Sequence, residues 1–124
     1  MKTFILAPDS FKESMTAEQA CVAMQRGIQN IIPDAVCIHV PMADGGEGTV
    51  DALLTSLAGQ KVECEVTGPL PLQRVKTYWG LFDGGQTAVI EMAKANGIHL
   101  LEAVQRNPLL TTTLGTGQMI RHAL

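Results

Sequence analysis

Three absences narrow what this 124-residue chain can be. Aromatic residues make up only 4% of the sequence, so the core must be largely aliphatic. No apolar run approaches the roughly 18 residues of a membrane-spanning helix, and the first residues lead into a strand-like run rather than a signal peptide. Basic residues are few and scattered and the net charge is −3, which is unlike a nucleic-acid-binding protein. We therefore expect no nucleic-acid partner and no membrane.

Paired cysteines and metal-ligand spacings are also missing. Cys21, Cys37 and Cys64 are an odd number without a C-x-x-C spacing, which is typical of a reduced, cytoplasmic chain with buried cysteines. The histidines lie far apart in sequence and show no ligand spacing. A phosphate-binding P-loop is absent, because no Lys follows Gly117. A G-x-G-x-x-G pattern is also absent, because Ile120 stands in place of its last glycine.

What the sequence does contain is a β-α-β start. Residues 2–7 form a continuous apolar run that predicts a buried strand. Thr16 and Gln19 have the spacing of a capping box, and the apolar stripe after them predicts a helix that Pro33 ends. Residues 35–40 alternate and predict a second strand. This order predicts a parallel β-α-β unit with a right-handed crossover and an α/β fold class.

The pattern then turns to antiparallel pairing. A helix is predicted over residues 48–58, because Leu53, Leu54 and their neighbours form an apolar stripe that ends at Gly59. Three further strands are predicted over residues 62–66, 74–82 and 87–92. The last two are joined by Asp-Gly-Gly-Gln at 83–86, a hairpin signal. We expect Glu91 on the solvent face of its strand.

The end of the chain predicts an unfinished helix. The helix is predicted from Met119, and its apolar stripe of Ile120, Ala123 and Leu124 is incomplete. We therefore interpret the chain as the N-terminal fragment of something longer.

The first candidate site is the polar loop after the first strand. In open α/β sheets, ligands bind at the carboxyl ends of the strands. Asp9 can act as a base toward a substrate hydroxyl or hold a magnesium ion. Ser10 and Lys12 can bind a carboxylate or a phosphate. In the alternative interpretation, Asp9 and Ser10 form an ordinary turn and Lys12 is solvated.

The second candidate site is the loop after the second strand. Gly45 and Gly46 let a ligand approach the backbone closely, and the helix that follows offers amides that favour anions. Asp44 and Glu47 flank them. In the alternative interpretation this is a tight turn, with Glu47 only complementing the helix dipole.

The third candidate site precedes the last helix. Its hydroxyls and glycines are Thr112, Thr113, Gly115, Thr116 and Gly117. The threonine run Thr111 to Thr113 consists either of hydroxyl donors to a ligand or of β-branched strand residues.

Six ordered segments of the chain resemble the N-terminal part of the glycerate kinase family. They are APDSFKES at 7–14, ADGGEGTV at 43–50, VTGPL at 66–70, AVIEMA at 88–93, RNPLLTT at 106–112 and GTG at 115–117. The resemblance implies a two-domain glycerate kinase-like α/β fold, one of whose domains is discontinuous in sequence, with the active site between the domains. We place the first α/β segment, part of that discontinuous domain, at residues 1–67. The hairpin and the start of a truncated second segment then occupy residues 68–124.

The resemblance also implies an activity. Family members transfer the γ-phosphoryl group of ATP to D-glycerate with magnesium, and we favour 2-phosphoglycerate as the product. Asp9 and Asp44 would position the glycerate hydroxyl or Mg²⁺, and Lys12 would neutralise a phosphate or the glycerate carboxylate. The expected substrate- or phosphate-binding residues are Ser10, Gly45, Gly46, Glu47, Thr112, Thr113, Gly115, Thr116 and Gly117.

The departures from the family leave two other interpretations open. The resemblance covers roughly the first third of a family protein, and Lys94-Ala95-Asn96 stands where small residues are usual. In the first of these interpretations, the chain is a catalytically inactive truncated fragment that acts at most as a small-anion-binding module. Otherwise it is a self-associating module or subunit, which joins other chains through an unfinished sheet edge or the last helix.

Overall fold

The computed structural model describes residues 1–124, and they form two compact units, Met1–Ala52 and Leu53–Leu124. The division predicted between residues 67 and 68 concerns the domains of a longer protein, and it stays a prediction.

The first unit contains the predicted β-α-β arrangement. Strand β1 (Thr3–Leu6), helix α1 (Ala17–Ile31) and strand β2 (Val36–His39) follow in order, and β1 pairs with β2 in parallel. The capping box is confirmed: the Gln19 amide donates to Thr16 Oγ1 at 3.2 Å, and the Thr16 amide donates to Gln19 Oε1 at 2.9 Å.

The prediction that the first strand is buried is wrong. Only Leu6 of β1 is buried, on the face that α1 covers, where the Cys21 thiol donates to the Leu6 carbonyl at 3.4 Å. Ile5 and Ile38, which pair in register, are 69% and 47% exposed.

Helix α2 (Thr49–Ser56) is shorter than the stretch 48–58 predicted for it. Val50 of its apolar stripe is buried, whereas Leu57 lies beyond the helix and is exposed.

The second unit is built on an antiparallel sheet. Its strands are β3 (Gly59–Thr67), β4 (Arg74–Phe82) and β5 (Thr87–Val89), with β4 in the middle. The predicted hairpin is confirmed: a 3₁₀ turn at Asp83–Gly85 joins β4 to β5, with positive φ at both of its glycines. The predicted end of the last strand is wrong, because β5 stops at Val89 and helix α3 (Met92–Asn96) begins at residue 92.

Helix α4 (Leu114–Ala123) begins five residues before Met119, where the sequence predicts its start. Gly115, Thr116 and Gly117 therefore lie in its first turn and not in a loop before it. Short 3₁₀ turns at Ile98–Leu100 and Ala103–Gln105 connect α3 to α4.

The core of the second unit lies between its sheet and the helices α3 and α4. Its buried members are Val66, Trp79, Ala95 and Met119. Trp79 Nε1 donates to His122 Nδ1 at 3.2 Å, which ties the end of α4 to β4. Cys64 packs against this core, and burial raises the pKa of its thiol. This disfavours the thiolate and agrees with a packing role.

Candidate functional site

The first two candidate loops are brought side by side by the parallel pairing of β1 and β2. Beyond the strands themselves, the Val40 amide donates to the Leu6 carbonyl at 2.8 Å and the Met42 amide to the Pro8 carbonyl at 3.0 Å. The residues that follow Pro8 and Met42 therefore leave the sheet at the same edge. We call residues 9–15 and 43–48 the acidic loop pair, since exposed Asp9 and Asp44 belong to it.

Asp9 is oriented by the loop that follows it. One carboxylate oxygen accepts from the Ser10 amide at 2.6 Å, and Asp9 is exposed. Phe11 and Met15 then close a tight loop through two backbone hydrogen bonds of 2.9 and 3.0 Å. Lys12 lies exposed in this loop. An exposed carboxylate held by its own turn, with an exposed lysine in the same loop, is suited to binding a polar ligand from solvent.

Asp44 closes the second loop. Its Oδ1 accepts from the Gly46 amide at 2.9 Å, and the Thr49 hydroxyl donates to the Gly46 carbonyl at 2.8 Å. The turn needs glycine at Gly45 and Gly48, whose φ angles are 98° and 90°. The Gly46 amide, predicted to cradle an anion, is thus already bound to a carboxylate. An anion at this loop has to compete with Asp44 for that amide.

The donor set of the acidic loop pair suits a magnesium ion that arrives with a phosphate. No group of three or more His, Cys, Asp or Glu side chains in the chain is placed to hold a metal ion. Magnesium is usually held by one or two carboxylates together with waters and substrate phosphates. Asp9 and Asp44 supply exposed carboxylates on adjacent loops, which fits that mode and not an all-protein site.

Thr112 and Thr113 of the third candidate region line a cleft of about 540 Å³ within the second unit, whereas Gly115, Thr116 and Gly117 are not part of its lining. Its polar lining consists of Asn96, Arg106, Asn107, Thr111, Thr112 and Thr113. Its apolar lining consists of Pro69, Ile98, Leu101 and Pro108. We call it the threonine cleft. Two predicted binding residues, Thr112 and Thr113, therefore lie together. Residues 106–108, Arg-Asn-Pro, line the same cleft.

The threonine segment is fixed by hydrogen bonds to its surroundings. The Thr112 amide donates to the Pro69 carbonyl at 2.8 Å, and the Thr111 amide donates to the Asn107 carbonyl at 3.1 Å. The Leu114 amide donates to Thr112 Oγ1 at 3.1 Å. The alternative that these threonines form a strand is excluded, since residues 111–113 lie in no strand.

Asn96 connects the cleft to the start of α4. Its Oδ1 accepts from the Thr116 amide at 2.9 Å and from the Thr116 hydroxyl at 2.8 Å, while its Nδ2 donates to the Thr67 carbonyl at 3.3 Å. The Thr116 hydroxyl, predicted to bind a ligand, thus donates within the chain. The carbonyl of Thr67 lies against Gly115, where a Cβ atom would come within 1.9 Å of its oxygen.

Replacing Asn96 by Ala is expected to lower the free energy of unfolding by about 1–3 kcal/mol, because it leaves the partly buried Thr116 amide and Thr67 carbonyl without these partners. Urea unfolding followed by Trp79 fluorescence measures the change. The matched control is Asn30→Ala, at an exposed position of α1. Equal effects of the two substitutions would contradict the role given to Asn96.

Three polar residues of the cleft, Asn96, Arg106 and Asn107, are not among the binding residues expected from the sequence. Arg106 and Asn107 lie in the segment 106–112, which resembles the glycerate kinase family. That resemblance is the sequence signal that could have identified them as site residues. The expectation for Glu91 is wrong: the residue is only 5% exposed, and it precedes α3 instead of lying in β5.

Comparison with known proteins identifies the class to which this fold and these loops belong. The sequence profile of the glycerate kinase family matches residues 4–124. The chain is 52% identical to a glycerate kinase from Haemophilus influenzae over 98% of its own length and 32% of the relative. It is 47% identical to glycerate 2-kinase from Escherichia coli over 97% of its length and 31% of the relative. The chain belongs to the glycerate kinase family.

The structural comparison agrees. A crystal structure described as glycerate kinase 2 from Salmonella typhimurium LT2 matches with a TM-score of 0.67 and 46% identity, over 99% of this chain and 33% of that one. The chain thus spans about a third of the length of the relatives that it matches. None of its helices is long and apolar enough to cross a membrane.

Proposed function

We propose that this chain is the part of a glycerate kinase that supplies its acidic loop pair, and that the protein containing it phosphorylates D-glycerate with ATP and Mg²⁺. The observation that carries the proposal is the placement of Asp9 and Asp44 on adjacent loops at the carboxyl edge of a parallel strand pair. The relatives named as glycerate kinases, among them a glycerate 2-kinase, support this substrate and favour 2-phosphoglycerate as the product.

In the proposed mechanism Asp9 takes the proton of the acceptor hydroxyl as that oxygen bonds to the γ-phosphorus of ATP and ADP leaves. Asp9 is suited to this role because its Ser10 contact fixes one oxygen and its second oxygen has no partner within the chain. Phosphoryl transfer depends mainly on positioning and charge neutralisation. Bound magnesium would neutralise phosphate charge next to Asp9 and Asp44.

The other predicted residues assist binding in this proposal. Lys12, exposed in the first loop, neutralises a phosphate or the glycerate carboxylate. Ser10, Gly45, Gly46 and Glu47 surround the acceptor. The three unpaired cysteines fit a reducing compartment, and we propose the cytoplasm.

The test uses a hybrid in which this chain replaces the matching third of the Haemophilus influenzae relative. With Mg²⁺ and ATP, the hybrid is expected to phosphorylate D-glycerate and not glycerol, because glycerol lacks the carboxylate that Lys12 pairs with. Phosphorus NMR then distinguishes 2- from 3-phosphoglycerate. Equal turnover of glycerol would contradict the proposed substrate. A 3-phosphate product would contradict the proposed position of transfer.

A further inference from the structure

We propose that the threonine cleft is a nucleotide site, in which Arg106, Asn107 and the Thr111–Thr113 segment hold the phosphates of ATP. This inference rests on the proposed function, since it names where the phosphoryl donor of that reaction binds. It adds Arg106 and Asn107 to the residues expected from the sequence and gives the cleft one ligand class.

The charge of the cleft favours an anion. Arg106 is the only charged residue among those that line it, and no carboxylate lines it. The acidic loop pair differs, because the carboxylates of Asp9 and Asp44 accompany Lys12 there. An arginine guanidinium binds phosphate through paired hydrogen bonds and stays charged at every working pH.

The threonine hydroxyls and the Asn107 amide of the cleft still have protons to donate. The hydroxyls of Thr111 and Thr113 have no partner within the chain. Thr112 Oγ1 accepts from the Leu114 amide and keeps its own proton for donation. Asn107 uses its Oδ1 to accept from the Leu109 amide, so its Nδ2 still has both protons to donate. Donors without intrachain partners, placed around one cation, suit the oxygens of a polyphosphate.

The size and the apolar walls favour a nucleotide over glycerate. A volume of about 540 Å³ is within the range of cofactor sites and far exceeds a three-carbon acid. Ile98, Leu101 and the two prolines give apolar surface, which has no use for glycerate but can pack against a nucleobase and sugar.

The cleft is held in shape before any ligand arrives. Hydrogen bonds from Thr112 to Pro69 and from Gln73 Nε2 to the Leu100 carbonyl, at 2.8 and 3.4 Å, tie its rim to the turn between β3 and β4. Asn96 anchors its floor to Thr67 and Thr116. A site that is largely formed beforehand loses little entropy when it binds.

The test is a titration of the 124-residue chain with ATP, followed by calorimetry and by amide NMR. EDTA is present, so that binding bridged by magnesium at the acidic loop pair is removed. We expect shifts of the Thr111, Thr112 and Thr113 amides. Arg106→Gln is expected to weaken ATP binding at least about tenfold, as loss of a charge-assisted hydrogen bond does. The control is Arg121→Gln, in the last turn of α4 and outside the cleft, which should change the affinity by less than about twofold.

Three results would overturn the inference. One is that D-glycerate, and not ATP, shifts the threonine amides. Another is that ATP shifts only residues of the acidic loop pair and Arg106→Gln binds it normally. The third is that the folded chain binds no ATP. Inorganic tripolyphosphate is titrated in parallel: binding as tight as that of ATP would contradict the role of the apolar walls.

The hybrid separates this inference from the proposed function. If the hybrid phosphorylates glycerate and Arg106→Gln leaves its KM for ATP unchanged, the cleft assignment fails and the function stands. If the chain binds ATP in the cleft and the hybrid has no turnover, the function fails and the cleft assignment stands.

Discussion

Replacing Asp9 by Asn in the hybrid is expected to lower kcat for D-glycerate by about 10²–10⁴-fold, the usual contribution of a general base. The amide keeps the size and still accepts from the Ser10 amide, so the loop is preserved. It no longer takes a proton or neutralises a cation. Steady-state assays of ADP release measure the effect, and circular dichroism checks the fold.

Asp34→Asn is the matched control for Asp9. Asp34 is exposed in the turn between α1 and β2, away from the carboxyl edge of the strands, and its substitution is expected to leave kcat unchanged. If Asp9→Asn raises only KM and leaves kcat intact, Asp9 binds substrate without acting as the base. If both kinetic constants are unchanged, Asp9 has no part in the reaction.

Replacing Gly115 by Ala is expected to lower the free energy of unfolding by about 3 kcal/mol, at the upper end of the usual cost of overpacking a core. The added Cβ would come within 1.9 Å of the Thr67 carbonyl oxygen, and a backbone atom cannot move aside as a side-chain tip can. Either α4 shifts away from β3 or the contacts of Met119 and Trp79 are lost. Unfolding in urea followed by Trp79, the one tryptophan of the chain, measures the change.

Gly117→Ala is the control for this prediction, two residues away on the same helix. A Cβ atom at Gly117 meets nothing within 4 Å, so the substitution is expected to raise stability by about 0.5–1 kcal/mol through the better helix propensity of alanine. If both substitutions destabilise equally, close contact between α4 and β3 does not explain Gly115.

The local patterns of the sequence predicted much of the fold. Capping at Thr16, alternation in the strands and the glycine turn at 83–86 are encoded within a few residues, and the β-α-β start and the hairpin followed from them. The prediction that β1 is buried was wrong, because an apolar strand sequence does not show which elements pack on its two faces. Ile5 and Ile38 are apolar and yet exposed.

The start of α4 was missed because glycine disfavours helix. Gly115 and Gly117 each cost about 1 kcal/mol relative to alanine in a helix, so the sequence favours a loop there. The contact of Gly115 with Thr67, far away in sequence, overrides that preference. Helix α3 has only five residues, too few to show a helical period, so the sequence pattern predicts the end of a strand where the helix begins.

The two candidate sites differ in how far they could be predicted. The acidic loop pair follows from its position after two strands that pair in parallel. The threonine cleft depends on contacts between residues distant in sequence, such as Thr112 with Pro69 and Asn96 with Thr67, which no local pattern encodes. Self-association through a sheet edge or the last helix stays a prediction.

The rate of ADP release by the hybrid, with and without D-glycerate, tests the central claim most directly. If this chain supplies the acidic loop pair of a glycerate kinase, release depends on D-glycerate and its kcat is within about tenfold of that of the intact Haemophilus influenzae relative, an activation free-energy difference of about 1.4 kcal/mol. A folded hybrid that releases no ADP in response to D-glycerate would contradict the claim. It would leave the chain as a catalytically inactive member of its family.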